Sequence, residues 1–90
     1  MSAVFPEPCA EAARALLDAC ERKGLRLVTA ESCTGGLIAG CLTEIAGSSS
    51  VVDRGYVAYH DRAKVEMLGV REATLAAHGA VSEATAREMA

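Results

Sequence analysis

Apolar residues fall first at helical spacing and then in alternation. Between Glu7 and Lys23, Ala10, Ala13, Leu16, Leu17 and Cys20 recur every three or four positions, the period of one helix face. Gly24 follows Arg22 and Lys23, as it does where a helix closes with a left-handed turn. Leu25 to Ala30 is short, β-branched in part and partly alternating, which predicts a strand. Glu31-Ser-Cys-Thr-Gly-Gly36 interrupts that run. Helical spacing resumes from Leu37 to Ala46, with Leu37, Ile38, Cys41, Leu42 and Ile45 on one broad face. Gly47-Ser-Ser-Ser50 ends this helix. A second strand is predicted from Arg54 to His60, with Tyr56 and Ala58 on one face and Val57 and Tyr59 on the other. Asp61 is the expected N-cap of a short helix to Leu68 that Gly69 closes, and Ser82 the expected cap of the last one. Between them a helix from Arg71 to His78 ends at Gly79.

The strand–helix–strand stretch has the length of a βαβ unit. A right-handed crossover makes its strands parallel, so their carboxyl ends share one edge of the sheet. The expected fold class is therefore α/β, a three-layer αβα arrangement built on that unit. Residues 1–90 read as one domain. The chain stops inside a helical pattern at Glu-Met-Ala90, and two strands do not make a stable sheet. We expect a partial domain whose further strands come from another segment or chain.

Composition narrows the class. Hydrophobic residues make up 51% of the chain and aromatic ones only 3%, so the core must be built from Ala, Val, Leu and Ile, as suits helices packed on a sheet. A net charge of −3 leaves no basic footprint for nucleic acid or an anionic membrane. No apolar stretch is long enough to span a bilayer, and the N-terminus does not resemble a signal peptide. Cys9, Cys20, Cys33 and Cys41 show neither a C-x-x-C pair nor zinc spacing. Reduced thiols in a cytoplasmic protein are the expected state.

The candidate chemistry lies on the shared edge. Ser32 sits just past the first strand and Lys64 just past the second, where open α/β sheets carry their sites. Ser32 precedes Gly35-Gly36 at a helix start, where amides without helical partners can hold a developing oxyanion. Lys64 falls in the first turn of its helix, whose positive end, like burial, works against an ammonium. A neutral amine is what a base for serine requires. Tyr59 can hydrogen-bond either partner. A carboxylate turned from Asp61 toward Lys64 would oppose the neutral amine. Cys33 is a rival nucleophile by position, read instead as a small buried thiol. Glu31 either orients the site or caps the following helix. Gly47, Ser48 and Ser49 either hold a phosphate or simply end a helix. Arg54 is read as a solvated strand-end charge, and His60 and His78 as structural.

Several short motifs occur in order: Ala30-Glu-Ser-Cys-Thr-Gly-Gly36, Ile45-Ala-Gly-Ser-Ser49, Arg54-Gly-Tyr-Val-Ala-Tyr59, Ala63-Lys64, Leu68-Gly-Val70 and His78-Gly-Ala-Val-Ser-Glu83. From Gly24 onward the chain closely resembles the CinA C-terminal domain family, the nicotinamide mononucleotide deamidases or nicotinamide-nucleotide amidohydrolases. The resemblance implies a Ser–Lys dyad of Ser32 and Lys64 with Tyr59 as hydroxyl partner. It also implies Thr34 and Gly35 in the oxyanion and carboxamide region, among substrate-contacting residues that include Glu31, Cys33, Gly36, Gly47 and Ser48. The implied reaction is hydrolysis of a nucleotide carboxamide without metal or organic cofactor, by a homodimer. Against this stands a reading of a different class, a non-catalytic remnant serving as a binding or oligomerisation module.

Overall fold

Helix α1 spans Glu7–Lys23 and stops where the sequence places its stop. Gly24 takes the left-handed conformation (φ 66°), and the Leu25 amide donates back to Cys20 O at 2.8 Å. A side chain would strain that turn. The structure, a computed structural model, describes residues 4–90. The buried stripe of α1 is Ala10, Ala13, Leu17 and Cys20, while Leu16 lies on its exposed margin.

Strands β1 (Leu27–Glu31) and β2 (Val52–Val57) pair in parallel, with Leu27 opposite Val52 and Glu31 opposite Val57. Helix α2 (Leu37–Thr43) connects them and packs on α1. The second strand thus begins and ends earlier than the expected Arg54–His60. Its start is set by Ser48–Ser50, one turn of 3-10 helix that delivers Val51 directly to the sheet, where its carbonyl accepts from Leu27 N at 2.9 Å. Its end is set by the last rung, Ala58 N to Glu31 O at 2.9 Å, after which His60 turns away to cap the next helix. α2 ends at Thr43 rather than Ala46. The Thr43 hydroxyl bonds back to Ala39 O at 3.0 Å, and its carbonyl accepts from the Ser48 hydroxyl at 3.3 Å.

The core forms where α1 and α2 meet the amino end of β2: Ala13, Leu17, Cys20, Leu42 and Val51, flanked by Leu27, Cys41, Ile45 and Val52. Burying a side chain such as Leu17 or Leu42 contributes about 1.5–3 kcal/mol. Aliphatic residues and two cysteines, Cys20 and Cys41, form this core without an aromatic side chain.

Helices α3 (Asp61–Leu68), α4 (Glu72–His78) and α5 (Glu83–Met89) complete the chain. Met67 and Leu68 of α3 and Ala86 and Met89 of α5 face Val28, Ala30 and Tyr56 across a hollow of about 430 Å³. Helices therefore lie on both faces of the sheet, as a partial αβα domain. Ser82 caps α5 as expected, accepting from Thr85 N at 3.2 Å. Glu88 ties α5 to α4, accepting from Arg71 N at 2.9 Å, Arg71 Nη2 at 2.9 Å and the Thr74 hydroxyl. The Arg71 side chain, then its amide and the Thr74 hydroxyl, hold the Glu88 carboxyl down to about 2.

Candidate active site

Alternation along β1 turns Thr29 and Glu31 toward α2, and Ala30 and Ser32 toward α5. Glu31 is only 3% exposed. Its Oε1 accepts from the Thr34 hydroxyl at 2.6 Å, Gly36 N at 3.2 Å and Ile38 N at 2.9 Å, and its Oε2 from Ala39 N at 2.9 Å. Of the two roles open to Glu31 in the sequence, these contacts realise the helix cap. Burial is the largest single influence on its carboxyl and pushes it up, but the bonds from Thr34, Ala39, Ile38 and Gly36 together bring it below the usual carboxylate range. Gly35 and Gly36 have φ of 61° and 105°, which lets the chain double back over the buried carboxylate.

Ser32 is half-buried and lines a cleft of about 240 Å³ with Cys33 and Thr34, opposite Ile38, Val81 and Met89. The glycine amides are not available to an oxyanion, because Gly35 N donates to Ser32 O at 3.0 Å and Gly36 N to Glu31. The amides of Cys33 and Thr34 have no protein acceptor among the described residues. They are the amides of the turn left without a protein acceptor, on residues that line the cleft. The signal for this in the sequence is the acidic residue directly ahead of the turn, which takes the helix-start amides first. Cys33, expected as a buried thiol, is exposed, and all four cysteines are free.

Lys64 is 2% exposed, in the first turn of α3. Its Nζ donates to Tyr59 O at 3.0 Å and to Asp61 Oδ1 at 3.2 Å. The N-cap of α3 is His60 rather than Asp61: the His60 Nδ1 accepts from Arg62 N at 3.1 Å. That leaves the Asp61 carboxylate to turn to Lys64. Tyr59 lies beyond β2 and is 73% exposed. Its carbonyl, not its hydroxyl, meets Lys64. Ser32 follows Glu31, whose partner across the sheet is Val57, so Ser32 and the Tyr59–Lys64 segment leave adjacent strands at one edge. Neighbouring strands are about 4.8 Å apart. No hydrogen bond joins Ser32 to Lys64 among the described residues.

Gly47 and Ser48 are placed elsewhere. Their loop enters β2, at the amino edge of the sheet, where Arg26 Nη1 reaches Ser50 O at 3.4 Å. A five-residue strand, about 16 Å long, separates that edge from Ser32. The Ser48 hydroxyl is buried against Thr43 O and Ser50 bonds Gly47 O. Within one chain these residues end a helix rather than line the Ser32 cleft. Arg54 pairs with Asp53 at 2.7 Å. Among the described residues no three His, Cys, Asp or Glu side chains are grouped to hold a metal ion, and no helix is long and apolar enough to cross a membrane.

Fold and turn together define a partial α/β domain with its candidate chemistry at the carboxyl edge of a parallel βαβ unit. The CinA C-terminal domain family matches residues 9–90, and the chain belongs to that family. Over 72 residues it is 56% identical to the nicotinamide-nucleotide amidohydrolase PncC of Escherichia coli strain K12, covering 80% of this chain and 44% of that protein. It is 65% identical over 68 residues to a CinA-like protein of Chloroherpeton thalassium, covering 76% of this chain and 16% of that one. The solved structure of the competence/damage inducible protein CihA from Agrobacterium tumefaciens matches the whole chain with a TM-score of 0.93 and 58% identity, and the chain covers 54% of it. The chain therefore spans about half the length of PncC and CihA.

Proposed function

We propose that the protein is a nicotinamide-nucleotide amidohydrolase, acting through Ser32 and Lys64 on nicotinamide mononucleotide to give nicotinate mononucleotide and ammonia. The observation that carries this reading is a half-buried serine on a cleft beside the Cys33 and Thr34 amides, at the same sheet edge as a buried lysine. The likeness to PncC supports the choice of substrate.

Ser32 Oγ attacks the carboxamide carbon while Lys64, as the free amine, takes its proton. The Cys33 and Thr34 amides hold the oxyanion of the tetrahedral intermediate. Collapse breaks the carbon–nitrogen bond, and Lys64 returns the proton to the leaving ammonia. Water then attacks the acyl-serine, with Lys64 again as base, releasing the acid and restoring Ser32. In this reading the Tyr59 hydroxyl is a hydrogen-bonding partner of the dyad once substrate is bound. The protein works as a homodimer in the cytoplasm, where its four free thiols stay reduced. The test is ammonia release from nicotinamide mononucleotide by the full-length protein, which the Ser32→Ala variant should lose.

A further inference from the structure

The Lys64 Nζ makes two hydrogen bonds among the described residues, to acceptors that differ in kind. The Tyr59 carbonyl is part of the backbone where β2 ends, and every residue type at that position supplies it. The Asp61 carboxylate is a side chain, 58% exposed, and it is turned inward although His60 has taken the capping task. The Lys64 side chain is 3% exposed, so the pair holds a buried amine against a carboxylate that is open to solvent. A lysine side chain has four rotatable carbons to order, and one hydrogen bond leaves Nζ free to swing about that bond. Two acceptors, at 3.0 and 3.2 Å, fix it.

We infer that Asp61 is a positioning residue, whose Oδ1 and the Tyr59 carbonyl together clamp the Lys64 amine at the Ser32 edge. The inference rests on the amidohydrolase reading and adds a residue to it. A neutral amine has two N–H groups and one lone pair. With both N–H groups given to Tyr59 O and Asp61 Oδ1, the lone pair is the direction that remains, and it accepts the serine proton. What the site uses is the acceptor atom, not the charge. An asparagine, which keeps an oxygen acceptor and drops the charge, therefore preserves the device.

The experiment compares Asp61→Asn and Asp61→Ala in the full-length protein, with kcat and KM for nicotinamide mononucleotide. Asp61→Asn should keep kcat within about threefold of wild type or exceed it. Asp61→Ala should lose about 10–100-fold in kcat with KM little changed, the scale of a misplaced catalytic group. Thermal unfolding of both variants separates a purely structural role, which would lower the melting temperature and leave kcat alone. Equal losses in the two variants, or an unchanged kcat in Asp61→Ala, would overturn the assignment. A second readout does not depend on the substrate. Of the two lysines in residues 1–90, Lys23 is exposed and Lys64 buried, and a Lys64→Arg reference assigns the Lys64 Nζ signal in 15N-lysine spectra. That signal should be exchange-protected in wild type, survive in Asp61→Asn and disappear in Asp61→Ala. If wild type releases no ammonia but the Nζ signal behaves in this way, the substrate reading fails and the clamp stands. If the signal persists in Asp61→Ala, the clamp fails whatever the activity.

Discussion

Replacing Glu31 by glutamine tests the buried cap that shapes the Ser32 turn. The two side chains have nearly the same volume, so packing changes little. The hydrogen bonds change a great deal. Three donors, from Thr34, Gly36 and Ile38, converge on Oε1 and one, Ala39 N, on Oε2. A glutamine satisfies the first group with its single oxygen, which leaves its NH₂ facing the Ala39 N–H, donor against donor. The lost bond to a charged acceptor is worth about 1.5–3 kcal/mol, and a buried donor left unsatisfied costs about 1–3 kcal/mol more. The three remaining bonds weaken as they lose charge assistance. The expected destabilisation is on the order of 3–5 kcal/mol, a large share of the stability of an ordinary domain. Urea unfolding followed by circular dichroism measures it, and amide exchange at Ile38 and Ala39 localises it. A Glu31→Gln protein within about 1 kcal/mol of wild type, with those amides still protected, would refute the reasoning.

Thr29 offers a change of opposite sign. Its Oγ1 is buried without a hydrogen-bond partner among the described residues, close against Gly55. Thr29→Val replaces a hydroxyl by a methyl of similar size, and we expect a gain of about 1 kcal/mol in urea unfolding; a loss would mean that the hydroxyl has an unseen partner. For Glu88 the carboxyl lies at about 2, below its ordinary 4.5. A depressed carboxyl stabilises the fold when ionised, so its contribution is complete above about pH 4.5 and is lost as pH falls toward about 2. Glu88→Gln should be less stable than wild type at neutral pH, and the two urea midpoints should converge across that window. Parallel midpoint-against-pH curves would contradict the assignment.

The helical segments were legible because the apolar period and the caps agree. α1 runs from Glu7 to Lys23 in both readings, closed by Gly24, and the Ser82 cap stands as expected. Strand limits were harder, since alternation says where a strand is possible and pairing decides where it runs. Val52 joins β2 because the 3-10 turn presents it to Leu27, and Tyr59 and His60 leave it because Ala58 makes the last rung. The cap of α3 went to His60 over Asp61 because an imidazole nitrogen reaches Arg62 N as well as a carboxylate would. At the site, Ser32 and Lys64 came to one edge by topology, which the sequence pattern contains. The partners of each polar atom did not follow from it. Glu31 consumes the Gly36, Ile38 and Ala39 amides and Asp61 accepts from Lys64 through distances of about 3 Å that no spacing rule encodes. The loop at Gly47 and Ser48 belongs by the same topology to the opposite edge.

The central claim is that Ser32 is the nucleophile of a carboxamide hydrolase. Ammonia released from nicotinamide mononucleotide by the full-length protein, measured side by side for wild type, Ser32→Ala and Cys33→Ala, tests it most directly. The account predicts turnover in wild type and in Cys33→Ala, and a loss of at least about a thousandfold in Ser32→Ala, as removal of a catalytic nucleophile entails. Equal turnover in wild type and Ser32→Ala would contradict it, and a loss confined to Cys33→Ala would move the nucleophile to the neighbouring thiol.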